Sequence, residues 1–354
     1  MSAPSVAAEE ADDPEVPSPA VGPSKPRLLR VLGPGLITGA SDDDPSGIAT
    51  YGQAGAQFGY GLCWTMLYTL PLMAAVQMVS ARIGRTTGHG IAGVLREHYP
   101  NGLLQAVVLL LLAANILNLG ADLGAMADAL NLLLPGPRWL YVVLFAGICA
   151  FMQLVLQYTR YVAVLKWLTL SLFAYLGVVI FARVSWWDLG LALAVPKLDF
   201  GGGGLTTLVA LFGTTISPYL FFWQAAEEAE DLHAYPRRRD LLHAPEQGGA
   251  ALHRIEVDTL VGMAFSNLVA LATLVGMVIS LGAVDPIRAL YWSAVVNGVI
   301  AVPVMAVMML AAARTDIMGA FAVRGSLRLL GWVATACMLL AVFAMLTTAA
   351  LPLI

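Results

Sequence analysis

Long, nearly uncharged apolar runs constrain this chain more than any other feature. A bilayer core takes about 20 apolar residues per helix, and runs of that order occur at residues 31–57, 62–79, 103–134, 139–157, 161–182, 205–226, 259–281, 286–313 and 327–353. Hydrophobic residues make up 59% of the sequence and charged ones 12%, with a mean hydropathy of +0.77. A soluble domain carries about 25% charge, so this chain lacks the polar coat that water requires. The charges are also unevenly placed. Residues 1–30 and 226–258 hold nearly half of the 19 basic and 23 acidic side chains. The expected class is therefore all-α and polytopic, with about nine spans, a disordered tail at 1–30 and a solvated cytoplasmic loop at 227–258.

The net charge of −4 comes without a basic stripe, which argues against a nucleic-acid partner. Cys63, Cys149 and Cys337 lie far apart in apolar runs and form no CxxC pair. The first 24 residues are acidic and rich in Ala and Pro, with no apolar core of a signal peptide. Basic residues tend to stay on the cytoplasmic side of short loops. With the N-terminus cytoplasmic, 15 of the 19 basic residues fall on or near that side. The expected location is a bacterial-type plasma membrane.

Two spans are interrupted. The first reads GPGLITGASDDDPSGIATYG, with Asp42, Asp43, Asp44 and Pro45 in its middle. The sixth reads LFGTTISPYLFFWQ, where Pro218 removes a helix hydrogen bond and disfavours helical backbone at Ser217. Irregular backbone survives at membrane depth only inside protein or beside a wet cavity. Broken helices at corresponding places in two halves point to an inverted-repeat transporter with its site near the midplane.

Residues 33–39 followed by Asp44-Pro45-Ser46-Gly47-Ile48-Ala49-Thr50 resemble the first helix of the NRAMP family of divalent-metal transporters. That family has Asp-Pro-Gly-Asn here and Met-Pro-His in its sixth helix. This chain has Asp-Pro-Ser-Gly and Ser217-Pro218-Tyr219, which is more similar to the NRAMP-related branch associated with magnesium. The resemblance covers nearly all of the chain after residue 30. It implies a LeuT-type arrangement: a first repeat over 31–182, an extracellular loop at 183–203, a second repeat over 204–313 and a final helix within 314–354. The family has about eleven helices. Residues 258–267 look like the start of its seventh and 271–282 like the end of its ninth, so its eighth helix and the flanking half-helices have no counterpart here.

The candidate site follows from the breaks. A buried acid within a span is costly and marks function by default, which makes Asp44 the leading metal ligand. The competing reading is structural, since Asp before Pro is a good N-cap and N1 pair. Asp42 and Asp43 are expected at the break or its entrance. Backbone carbonyls near Ser41 and around Thr215 and Ser217 would be freed by the breaks, and hard cations take oxygen ligands. Ser217 stands where the family's methionine would favour softer metals, and Gly47 where it has asparagine. Both replacements are expected to enlarge the cavity, which suits magnesium that keeps its waters.

Asp122 matches an aspartate of the family's proton path, but the acid three residues later is Ala125. Its alternative role is an interhelical hydrogen bond. Asp128 is expected near the membrane interface. Tyr219 and Gln224 replace the family's histidines of that helix, and no span contains a histidine. Asn267 and Asn297 are intramembrane amides, more readily explained by helix packing. His233, His243 and His253 match no zinc spacing. The glycines at 201–204 lack the Gly-Lys-Ser/Thr of a phosphate loop.

No enzyme motif and no cofactor are expected. The functional reading is a carrier for divalent metal cations, magnesium or manganese, hydrated and not proton-coupled, with the lipid bilayer as its other partner. The alternatives are a remnant that folds but cannot cycle, and an organic-substrate carrier of the same architecture.

Overall fold

The computed structural model describes residues 38, 39, 41–155, 177, 179, 184–197, 203–234, 238–280 and 287–350, and every regular element among them is helical. In chain order these are α1 (Pro45–Phe58), α2 (Trp64–Thr87), α3 (Ile91–His98), α4 (Asn101–Leu133), α5 (Arg138–Val155), α6 (Trp186–Ala194), α7 (Gly204–Thr215), α8 (Pro218–Ala234), α9 (Gly248–Ser280), α10 (Ile287–Ala313), α11 (Thr315–Met318) and α12 (Gly325–Ala350). The tail at 1–30, the first span before residue 38, Ala40 and most of the fifth span at 161–182 lie outside the described residues.

Both expected breaks are present. Helical backbone at Ser41 and Asp42 stops at Asp43, and α1 restarts at Pro45 with Asp44 as its extended N-cap (φ −74°, ψ 170°). Proline at N1 loses no hydrogen bond there, because the first N–H groups of a helix have no internal partner. The second break separates α7 from α8. Ile216 leaves the helical region (φ −118°, ψ 62°), and α8 restarts at Pro218.

Among the described residues, six stretches are long and apolar enough to cross a membrane: Trp64–Thr87, Asn101–Leu133, Gly204–His233, Pro245–Val275, Ala294–Ala313 and Gly325–Thr348. Arg138–Met152 is a shorter apolar helix. Wide apolar surfaces remain on the outside, including Leu109, Ile116 and Leu119 of α4 and Leu340 and Phe343 of α12, each more than half exposed. In water such a surface would drive aggregation; against lipid tails it costs nothing.

Without a hydrophobic drive between them, membrane helices associate by close packing at small residues. α7 lies on α10 so tightly that a Cβ at Gly213 would stand 2.2 Å from the Ala294 carbonyl oxygen and 2.5 Å from the Gly298 nitrogen. A Cβ at Gly84 of α2 would likewise stand 2.2 Å from the Ala225 carbonyl oxygen of α8, and Ser80 donates to the Phe221 carbonyl nearby. A Cβ at Gly39 would stand 2.3 Å from the Gly262 carbonyl oxygen of α9, so only glycine lets the segment before the first break pack this closely. Gly213→Ala is expected to force α7 and α10 apart and to cost about 2–3 kcal/mol. Gly102→Ala, facing open space, should be neutral. Thermal unfolding of the purified variants in detergent checks the contrast.

Helix reaches into three of the segments named from the sequence. The loop expected at 227–258 is largely helical: α8 continues to Ala234 and α9 begins at Gly248. Part of its charge is buried, at Glu227, Glu228, Asp231, Arg238, Arg254 and Asp258, while Glu230, Arg239, Glu246 and Glu256 are exposed. Arg254 lies 2.5 Å from Glu228 and 3.9 Å from Asp231, Arg238 pairs with Asp231, and Asp258 is fully buried beside them. Arg85 of α2 closes this end by donating to the Arg239 carbonyl (2.6 Å) and to Gln247 (3.1 Å). Charge marks a loop only when the charges lack partners, and here they find one another across two helices. The expected loop at 183–203 contains α6, tied to α2 by Tyr68 Oη donating to the Ala194 carbonyl (3.2 Å), with Trp64 Nε1 donating to the Lys197 carbonyl just beyond it (3.1 Å). The segment at 314–354 begins with the short α11 and a 3-10 turn before α12 starts at Gly325.

Candidate metal-ion site

The residues around the first break build the candidate site. Asp44 is an N-cap: its Oδ1 accepts from the Gly47 N–H (2.8 Å) and the Ser46 hydroxyl (2.6 Å). Its Oδ2 accepts from Tyr219 Oη (2.8 Å) and Asn118 Nδ2 (3.0 Å). An ionised carboxylate has about four lone-pair directions, and all four are taken. The structural and functional readings of Asp44 thus meet in one side chain: the cap fixes one oxygen, and the other faces α4 and α8 across the bundle.

Asn118 and Asp122 sit four residues apart on α4, one above the other on the same face. Asn118 Nδ2 donates to Asp122 Oδ2 as well (3.1 Å), and Asn118 Oδ1 accepts from Asn297 Nδ2 of α10 (3.3 Å). Asp122 therefore joins the Asp44 network through Asn118. Asn297, which the sequence assigned to packing, belongs to the same network. Asp128 pairs with Arg138 at the far end of α4 (2.7 Å).

Of the two places expected for Asp42 and Asp43, they occupy the break itself and are enclosed there. They are 1% and 6% exposed, because α9 packs over this segment. Asp42 Oδ2 accepts from Ser266 (2.8 Å), while Asp42 Oδ1 and both Asp43 oxygens have no hydrogen-bond partner among the described residues. Buried carboxylate oxygens without donors are expensive unless a cation or a proton compensates them.

The second break lies opposite. Ser217 Oγ donates to the Gly213 and Thr214 carbonyls, each at 2.8 Å, and Thr215 Oγ1 donates to the Leu211 carbonyl (2.7 Å) with Tyr51 Oη at 3.2 Å. Gly47 does not open a void. A Cβ there would meet the Asp42 carbonyl oxygen and Thr214 Oγ1, both at 3.1 Å. The expectation that glycine enlarges the site fails for this reason: backbone from one break and a hydroxyl from the other fill the space. The same contact brings two oxygens toward the point from which the family's asparagine would project. Ser41 is a half-buried helical residue at the end of the segment before the break.

No three His, Cys, Asp or Glu side chains converge as a ligand cluster among the described residues. The donors are instead mixed oxygens: carboxylate, amide, hydroxyl and carbonyl. Hard cations take such a set. Sequence reasoning singled out Asp44 and Asp122 but missed Asn118, although its i, i+4 spacing to Asp122 was the available signal. It noted Tyr219 only as a replaced histidine, whereas Tyr219 binds Asp44 directly.

Known proteins resemble this chain in sequence and in fold. Residues 35–278 and 268–348 match the family model described as natural resistance-associated macrophage protein-like. The chain is 31% identical over 209 residues to the divalent metal cation transporter MntH of Burkholderia ambifaria, a match covering 55% of this chain and 45% of that protein. It thus spans about half the length of that curated relative. A manganese transporter of Eremococcus coleocola, solved with an aromatic bis-isothiourea substituted compound, superposes with a TM-score of 0.60 at 17% identity, over 95% of this chain and 75% of that one. A mutant of the same transporter gives the same TM-score at 18% identity. These likenesses show the LeuT-type fold. With two helices broken at the family's positions and a family match reaching from residue 35 to residue 348, this chain belongs to the NRAMP family.

Proposed function

We propose that the chain carries divalent metal cations, magnesium or manganese, across a membrane at the meeting point of its two helix breaks. One observation carries this reading most directly. Three consecutive acids at the first break lie opposite the second break, and Asp42 Oδ1 and both Asp43 oxygens have no hydrogen-bond partner among the described residues. Ser217 offers no thioether to favour a softer metal. The relatives point the same way, being described as transporters of divalent metal cation and of manganese. In this reading residues 31–182 form the first repeat and 204–313 a shortened second one. Asp44 is the principal ligand, with Thr215, Ser217, Gly47 and Ser41 contributing side-chain or backbone oxygen, and the ion retains part of its water shell. Asp122 lacks a following acid at Ala125, so transport is driven by the ion gradient and the membrane potential.

A second reading, a remnant that binds but does not cycle, is favoured by α9. It runs unbroken from Gly248 to Ser280 through residues 268–278, where the two family-matched segments overlap. Reconstitution in liposomes with an enclosed pH dye separates the readings. A doubly charged ion gains about 4.6 kcal/mol per 100 mV, so uptake of magnesium and manganese should rise with an inside-negative potential and without acidification. Metal-dependent acidification would refute uncoupled transport. Binding without uptake at any potential would establish the remnant.

A further inference from the structure

Asp44 and Asp122 compete for one amide group. Asn118 Nδ2 lies 3.0 Å from Asp44 Oδ2 and 3.1 Å from Asp122 Oδ2, so both of its N–H groups are aimed at acids. The amide is only 7% exposed. Two carboxyl oxygens directed at one small, partly positive group is the arrangement a cation would otherwise bridge. The amide nitrogen therefore stands in for a cation between the two carboxylates.

An ion reaching Asp44 meets a carboxylate whose lone pairs are all engaged, so a donor has to leave. The cap donors, Ser46 and the Gly47 N–H, hold the start of α1. Tyr219 Oη has a single hydroxyl to offer and no second acid to serve. Asn118 is different. Its carboxamide has nearly the same shape with oxygen and nitrogen exchanged. Turned over, it would withdraw its N–H groups from the acids and present Oδ1, a hard ligand, in their place.

The neighbour is suited to that exchange. Asn297 Nδ2 now donates to Asn118 Oδ1 (3.3 Å), while Asn297 Oδ1 has no hydrogen-bond partner among the described residues and the residue is 1% exposed. If Asn118 turns, its nitrogen faces Asn297, and the spare Asn297 oxygen accepts from it once that amide also turns. The hydrogen bond between the two amides survives with its direction reversed. Asp122 Oδ1, which likewise has no hydrogen-bond partner among the described residues, is then available to the ion or to its waters.

We propose that Asn118 and Asn297 form a two-amide switch: donor to Asp44 and Asp122 in the empty site, with Asn118 Oδ1 and Asp122 recruited as oxygen ligands when a divalent cation arrives. This rests on the reading of Asp44 as the metal ligand and deepens it by adding two residues of α4 to the coordination.

Calorimetric titration of the purified full chain with magnesium chloride and manganese chloride tests it, with monodisperse elution as the folding control. Asn118→Leu keeps the volume and removes both amide functions, and affinity should fall about tenfold or more. Asn118→Asp keeps an oxygen and loses the donors, and should bind at least as tightly as the parent. Asn297→Asp can only accept from Asn118, which holds the Asn118 oxygen toward the site before any ion arrives, so binding should tighten severalfold. A spacer with a purely structural role would lose affinity in all three. Parent-like binding by Asn118→Leu, or weakened binding by both aspartate variants, overturns the switch. If Asn118→Leu does not fold, the two aspartate variants decide alone. Unaltered affinity in Asp44→Asn would bring down the metal-site reading itself, whereas loss in Asp44→Asn with parent-like Asn118→Leu brings down only the switch.

Discussion

Asp44→Asn is expected to weaken magnesium and manganese binding by about 100-fold. The substitution keeps the shape and one carbonyl-type oxygen, so capping of α1 through the Gly47 N–H can persist. It removes the negative charge and turns one acceptor into an NH2 group. That group would face Tyr219 Oη and Asn118 Nδ2, both of which now donate to Asp44. Breaking a buried charge interaction costs about 3 kcal/mol, and every 1.4 kcal/mol is about tenfold in affinity. Calorimetric titration of the folded variant measures this. Unchanged affinity would remove Asp44 from the site and leave it as a cap alone.

The largest expected loss of stability lies at the other end of α8. Arg254 supplies positive charge to Glu228 and Asp231, and all three side chains are nearly inaccessible to solvent. Arg254→Met keeps most of the volume but leaves Glu228 buried without its cation. Removing one partner of a buried pair costs about 3–5 kcal/mol, because the remaining charge has neither water nor a counter-ion. The unfolding midpoint in detergent should drop accordingly. Adding Glu228→Gln should recover much of the loss, since the buried charge is then gone as well. A stable single variant would mean that water reaches Glu228. The cluster ties α8 to α9, and Arg85 ties α2 to the segment between them. It therefore holds together the helices that follow the second break.

The helical membrane class and the two breaks were legible because their causes are local. A run of apolar residues defines a bilayer-spanning helix whatever its neighbours are. Asp44-Pro45 and Ser217-Pro218 interrupt helices through backbone geometry that needs no tertiary partner. The charge-rich stretch at 227–258 misled for the opposite reason. Its polarity resembles a loop residue by residue, yet Arg254 reaches Glu228 across 26 positions and the pair can be buried. Gly47 misled as well, since a missing side chain suggests room until Asp42 and Thr214 are found beside it.

The sequence by itself determined the all-helical membrane class, the places where two helices break and the identity of the acid that starts the second half-helix. Only the tertiary structure decided what each acid faces. Tyr219 is 175 residues from Asp44 and Asn118 is 74, so no spacing rule relates them. Their hydrogen bonds depend on how α4 and α8 pack against α1. The burial of Asp42 and Asp43 similarly depends on α9 closing over them through Gly39, Gly262 and Ser266. Hydropathy and proline act along the chain, whereas the partner of a carboxylate is set by whichever helix packs beside it.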